Sequence, residues 1–210
     1  SSQFPEVPMN KQSGVRVPAI LMREAIRRTV FAVTTEQSRF SIAGAKLLLD
    51  ESHLIMVATD GHRLAYAQFP FVNSTGQQLD LLIPKKSLNQ LEDLLDRELK
   101  RDAESAIEIS DTGNQLCFVV GSRTLFSRKL SGTFPNYEMV LPKNLDYAAE
   151  ISTEDFRESL SRVTLTSETK NHSVTMEIQP GKLLLKAGTG EAEAQEEIMA
   201  VLSGENGKNV

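Results

Sequence analysis

The spacing of apolar positions in this chain switches from a helical to a strand period, and the same switch occurs three times. In "VPAILMREAIRRTVFAV", Leu21, Ala25, Ile26, Thr29, Val30 and Val33 form one stripe at helical spacing, with Arg23, Glu24, Arg27 and Arg28 on the other side. Pro18 suits the start of that helix, where its missing N–H would have had no partner. Strands are then predicted around 40–49, 54–59 and 63–69, joined by Asp50-Glu51-Ser52-His53 and by Asp60-Gly61.

The order recurs in "LDLLIPKKSLNQLEDLLD", a strand, a proline and a helix with Leu88, Leu91, Leu94 and Leu95 inward. "AIEIS", "QLCFVV" and "RTLFSRKL" follow as strands. A third round opens at "YAAEISTEDFRESLSRVTLTS", where Ser152 is placed to cap the helix, and continues through "VTMEIQ", "KLLLKA" and "AEAQEEIMAV". Recurrence in fixed order points to repeats of strand, helix and three strands. One such repeat leaves a sheet edge and a helix face uncovered, so two repeats packed helix to helix under a shared antiparallel sheet make the closed solution.

The expected class is therefore α+β, with helices on one face, sheets on the other and two repeats per domain. Residues 1–14, with two prolines and no periodicity, read as a linker; 15–136 make one domain; 137–210 make the first half of another. The half-domain is expected to expose a sheet edge that is mobile or pairs with another chain.

Composition narrows the chemistry. With 210 residues, 40% hydrophobic, the chain is long enough for a substantial core. A net charge of −5 argues against nucleic-acid binding through overall charge and leaves a local basic face allowed. The single cysteine, Cys117, excludes an internal disulfide or a cysteine-rich zinc site and fits a reducing, cytoplasmic setting. No apolar run approaches the roughly 20 residues of a membrane span.

Asp60-Gly61-His62-Arg63 is the densest group of chemistry-bearing side chains. It reads first as a hairpin turn, with Gly61 at positive φ and Asp60 bonding its own backbone. His53, His62 and His172 lack metal-ligand spacing, no Ser stands in a Gly-x-Ser-x-Gly elbow, and the scattered glycines mark turns rather than a phosphate loop. No catalytic residue, metal or cofactor is expected. Glu191, Glu193, Glu196 and Glu197 read as the wet face of a strand.

"TVFAVTTEQSRFSIAGAKLLL", "MVATDGHRLAYAQFP", "LIPKKSLNQL" and "GTFPNYEMVLP" resemble the middle domain of the bacterial DNA polymerase III beta subunit, the replicative sliding clamp family, in order and spacing. The likeness is strong over 15–145 and weaker over 146–200. It implies a DNA-clamp fold and a head-to-tail homodimeric ring of six similar domains. Such a ring encircles duplex DNA without regard to sequence and does no chemistry on it. It further implies a pocket for short peptides of the replicative polymerase, the clamp loader and repair polymerases. Thr59, Gly61, His62, Arg63 and Leu64 match one wall of that pocket, Ile42 on the preceding strand another, and Pro135, Met139 and Val140 the junction of the domains.

In a clamp the helices face the hole, so Arg23, Arg27 and Arg28 on the first helix and Lys85 and Lys86 on the second are DNA-facing candidates. Arg39 and Phe40 match positions near the DNA path. Each of these cations also reads as ordinary helix surface. A basic lining would hold DNA by weak, salt-sensitive contact that permits sliding. An independent peptide-binding module of the same fold, without DNA encirclement, stays open as the alternative reading.

Overall fold

The structure is a computed structural model that describes residues 14–34, 40–113, 115–143, 147–167, 173–189 and 192–204. The chain divides into two compact units, Ser1–Glu138 and Met139–Val210, a cut two residues beyond the expected boundary.

In the first unit β1 (Val15–Pro18) leads into α1 (Ala19–Arg27), and β2 (Gly44–Leu49), β3 (His53–Thr59) and β4 (Leu64–Pro70) follow as a meander. The second repeat has the same order: β5 (Leu79–Pro84), α2 (Lys85–Leu99), β6 (Ala106–Asp111), β7 (Gln115–Val120) and β8 (Arg123–Arg128). Instead of one shared sheet, the unit contains two four-stranded sheets, ordered β4-β3-β2-β5 and β1-β6-β7-β8. Each repeat lends its leading strand to the other: β5 pairs antiparallel with β2, and β1 with β6. Each leading strand ends at a proline, because Pro18 and Pro84 supply no ladder N–H and turn the chain into a helix. A bond from the Leu130 N–H to the Leu82 carbonyl at 3.3 Å links the chain just beyond β8 to β5.

Alternation decides which residues fill the space under the sheets. Met22, Ala25 and Ile26 of α1 and Leu88, Leu91 and Leu95 of α2 are fully buried with Leu47, Leu54, Met56, Ile107, Ile109 and Phe118 from the strands. Two boundaries differ from expectation. The first helix stops at Arg27 and gives way to a 3-10 turn at Val30–Ala32, where Thr29 bonds its hydroxyl back to the Ala25 carbonyl at 2.7 Å. The strand expected from residue 40 starts at Gly44, behind a 3-10 turn at Phe40–Ile42, because the ladder with β5 ends where Gly44 faces Pro84.

The second unit holds one repeat: β9 (Tyr147–Ile151), α3 (Thr153–Val163), β10 (Thr175–Gln179), β11 (Lys182–Gly188) and β12 (Glu193–Gly204), in the sheet order β10-β11-β12-β9. Ser152 caps α3, its hydroxyl accepting the Asp155 N–H at 3.3 Å. Helix α3 packs on β11 and β12, burying Val163 with Leu185, Ile198 and Ala200.

Candidate functional site

The Asp60–Arg63 turn joins β3 to β4 and is built largely from its own side chains. Asp60 Oδ1 accepts the backbone N–H of His62 and of Arg63, each at 3.0 Å, while Oδ2 accepts Arg63 Nε at 3.1 Å. These donors favour the carboxylate, and its pKa falls to about 2. Gly61 has φ of 92°, the left-handed conformation that an L side chain resists. Thr59, buried at the end of β3, donates its hydroxyl to the Arg63 carbonyl at 2.7 Å and accepts the Gly61 N–H at 3.1 Å. Asp60 is thus given over to forming the turn, and His62 beside it is exposed.

Arg63 carries a long-range tether. Its Nη2 donates to the Phe31 carbonyl at 3.1 Å, and its guanidinium lies 5.6 Å from the centre of the Phe31 ring. Phe31 is 55% exposed, an apolar side chain left at the surface beside a cation. It was not among the expected site residues, because an apolar residue off the helical stripe carries no signal of its own in the sequence. Leu64 opens β4 opposite Thr59 and is half-buried. Two residues along the same face, Tyr66 stands with its ring 6.0 Å from that of Tyr137. Burial raises both phenol pKa values.

The expected pocket residues do not all present surface. Ile42 sits on the 3-10 turn before β2 instead of on the strand, and at 6% exposure it is buried. Pro135 is exposed in the first unit, whereas Met139 and Val140 open the second unit, also exposed. A cavity of about 560 Å³ lies at the other end of β4, bounded by Pro18, Ile20, Pro70, Phe71, Val72 and Glu104, and none of the expected pocket residues lines it.

On the helix face, two of the candidate cations meet carboxylates of the neighbouring helix. Arg27 pairs with Glu92 at 2.9 Å and with Asp96 at 2.7 Å, and Arg23 reaches Asp96 and Glu24, at 3.4 and 3.3 Å. The hydrogen bond to Glu92 is the main reason the Arg27 pKa is raised. Arg28 lies over the Phe69 ring at 5.2 Å and 3.8 Å from Glu24. Lys85 donates its ammonium to the Val33 carbonyl at 3.1 Å, while Lys86 is exposed. Phe40 begins the 3-10 turn; Arg39 and His172 lie outside the described residues.

The acidic run near the end is not uniformly wet. Glu196 shares its strand face with Ala194 and Ile198 and turns toward α3, where Arg162 holds it through Nε at 2.6 Å and Nη2 at 2.8 Å. The bidentate pair lowers the Glu196 pKa to about 2. Glu197, of opposite parity, pairs with Lys182 on the far face. Glu191 lies outside the described residues. Among the described residues, no group of three His, Cys, Asp or Glu side chains is placed to hold a metal ion, and no helix is long and apolar enough to cross a membrane.

Residues 16–136 match the family described as the DNA polymerase III beta subunit, central domain, and residues 138–209 match the C-terminal domain of the same subunit. The chain belongs to the DNA polymerase III beta subunit family. The beta sliding clamps of Halalkalibacterium halodurans and Treponema pallidum are each 32% identical to it, over 99% and 97% of this chain but 57% and 55% of their own length. The solved sliding clamp of Bacillus subtilis superposes with a TM-score of 0.85 at 27% identity, over 97% of this chain and 53% of that one. A Pseudomonas aeruginosa clamp solved with griselimycin bound gives 0.84 at 27% identity, over 96% of this chain and 54% of that one. The repeats are therefore those of the clamp fold, and the chain spans about half the length of the beta subunit relatives it matches.

Proposed function

We propose that this chain forms the central and C-terminal part of a DNA sliding clamp, a non-catalytic ring that encircles duplex DNA and holds its partners by short peptides. The observation that carries the reading is the tandem match, central domain at 16–136 followed at once by C-terminal domain at 138–209. In this reading retention on DNA is topological. A polymerase peptide bound near the Thr59–Leu64 turn makes each rebinding event intramolecular, so processivity comes from effective concentration instead of affinity. Leu64, Thr59 and the Gly61–Arg63 backbone supply a preformed apolar wall with a polar rim, suited to an apolar anchor residue worth about 1.5–3 kcal/mol when buried. The homodimeric ring, the clamp loader and repair polymerases as partners, and a cytoplasmic location belong to the same proposal.

The ion pairs on the helix face favour keeping the second reading, a peptide-binding module without DNA encirclement, because Arg23 and Arg27 are occupied by carboxylates. One experiment separates the two. The protein is loaded by a clamp loader onto nicked circular DNA, and the circle is then cut once. A clamp stays on the circle and leaves the linear form; equal loss from both with intact peptide binding supports the module.

A further inference from the structure

We propose that Phe31 is a positioning residue of the peptide site: its backbone carbonyl and its ring fix the Arg63 guanidinium, so that Arg63 meets a peptide carbonyl already aimed. The inference rests on the peptide-binding reading of the Thr59–Leu64 turn. Three contacts hold the guanidinium: Nε donates to Asp60 Oδ2 at 3.1 Å, Nη2 donates to the Phe31 carbonyl at 3.1 Å, and the Phe31 ring centre lies 5.6 Å away. Two of the three come from Phe31, 32 residues distant in the chain. Burial does not supply this order, since the Arg63 side chain is 61% exposed. A long, flexible cation loses rotamer freedom when it binds, and contacts that fix it beforehand remove that cost.

Phe31 can act as a support because it is itself held. It is the middle residue of the Val30–Ala32 turn, which is closed by bonds from the Ala32 N–H to the Thr29 carbonyl at 3.0 Å and from the Val33 N–H to the Val30 carbonyl at 3.2 Å. Ala32 and Val33 are buried, and the Val33 carbonyl accepts the Lys85 ammonium at 3.1 Å from the start of α2. The turn continues the carbonyl end of α1, where cations are favoured, and its Phe31 and Val33 carbonyls take one each. The ring is the part that a leucine could not replace, because a guanidinium is drawn to a π face. Asp60 decides the kind of contact Arg63 makes. Its carboxylate on Nε offsets the charge and leaves Arg63 a directed N–H donor, for which a peptide carbonyl is the fitting acceptor.

Overlapping peptides that cover the replicative polymerase are screened against the protein, and the tightest is titrated by fluorescence anisotropy. Phe31→Ala and Phe31→Leu are each expected to weaken it about three- to tenfold without a matching loss of thermal stability, while Phe31→Tyr binds as the parent does. In an Arg63→Met background Phe31→Ala adds nothing, since no guanidinium is left to position. In the free protein the Arg63 Nε–H proton, followed by NMR, exchanges faster with water in Phe31→Ala. Equal affinity in Phe31→Ala overturns the inference. So does a loss that persists in the Arg63→Met background, which would mean that the ring touches the peptide itself. A loss that vanishes at high salt overturns the carbonyl as the acceptor. If the parent binds none of the peptides, it is the proposed function that fails, and the Nε–H exchange rate still decides whether Phe31 fixes Arg63.

Discussion

Thr59 and Arg63 are tied across the β3–β4 turn by a bond from the Thr59 hydroxyl to the Arg63 carbonyl at 2.7 Å, and the same hydroxyl accepts the Gly61 N–H. One buried oxygen thus satisfies both inward backbone groups of the turn, while Arg63 reaches out to Phe31. The turn is held from inside and from the side.

Thr59→Val keeps the shape and removes the oxygen. Two backbone groups lose their partner, which costs about 1–3 kcal/mol. Urea unfolding followed by circular dichroism is expected to show that loss, and hydrogen exchange to show it first at Gly61. Thr59→Ser restores most of the stability. Peptide affinity near the turn drops in Thr59→Val and recovers in Thr59→Ser; unchanged exchange at Gly61 would remove the hydroxyl from this account.

Gly44 is a packing constraint rather than a turn. A Cβ there would stand 2.0 Å from the Ile83 carbonyl oxygen, a backbone atom of the paired strand that cannot swing away. Gly44→Ala must push β5 off β2 at the seam where the repeats exchange strands, at a cost of roughly 2 kcal/mol or more. Protection from hydrogen exchange should fall along both β2 and β5. Loss confined to β2 would show that the seam adjusts locally.

Glu196 makes the second unit sensitive to acid. Its folded pKa of about 2 lies below the ordinary 4.5, so the folded state favours the ionised form. The stabilisation is fully present above pH about 4.5 and is lost as pH falls through about 2. Hydrogen exchange in β11, β12 and α3, corrected for intrinsic rates, should therefore quicken across that window. Glu196→Gln flattens the response, and an unaltered slope in that variant would assign it to other carboxylates.

Features set by near neighbours along the chain are legible in the sequence itself. The Ser152 cap needs only the N–H three residues on, and the Asp60-Gly61 turn needs a carboxylate and a positive φ within four residues. Strand exchange is not legible in this way, because β5 is apolar whichever first meander strand it joins, and only the packed sheets decide. Glu196 departs from the expected wet face for a related reason: its parity with Ile198 places it inward, and the Arg162 that makes this tolerable lies 34 residues away. Phe31 escapes a reading by periodicity because an apolar residue off the stripe has no meaning until the Arg63 guanidinium arrives over it.

The helix face yields the sharpest test of how a chain of net charge −5 would meet DNA. Arg23 and Arg27 are shared with Glu92 and Asp96, so a phosphate must compete with carboxylates already at 2.7–3.4 Å. Pairs that solvent still reaches contribute little stability, so removing the acids should leave the fold intact. Asp96→Asn with Glu92→Gln frees Arg27 and leaves Arg23 with Glu24 alone, and each cation that engages a phosphate adds about 0.9 to the slope of log affinity against log salt. Tighter DNA binding at low salt with a steeper slope is the expected result, and Arg27→Ala in that background should take back about one such step. If the slope does not move, this face does not meet phosphate, and the cations serve only to join α1 to α2.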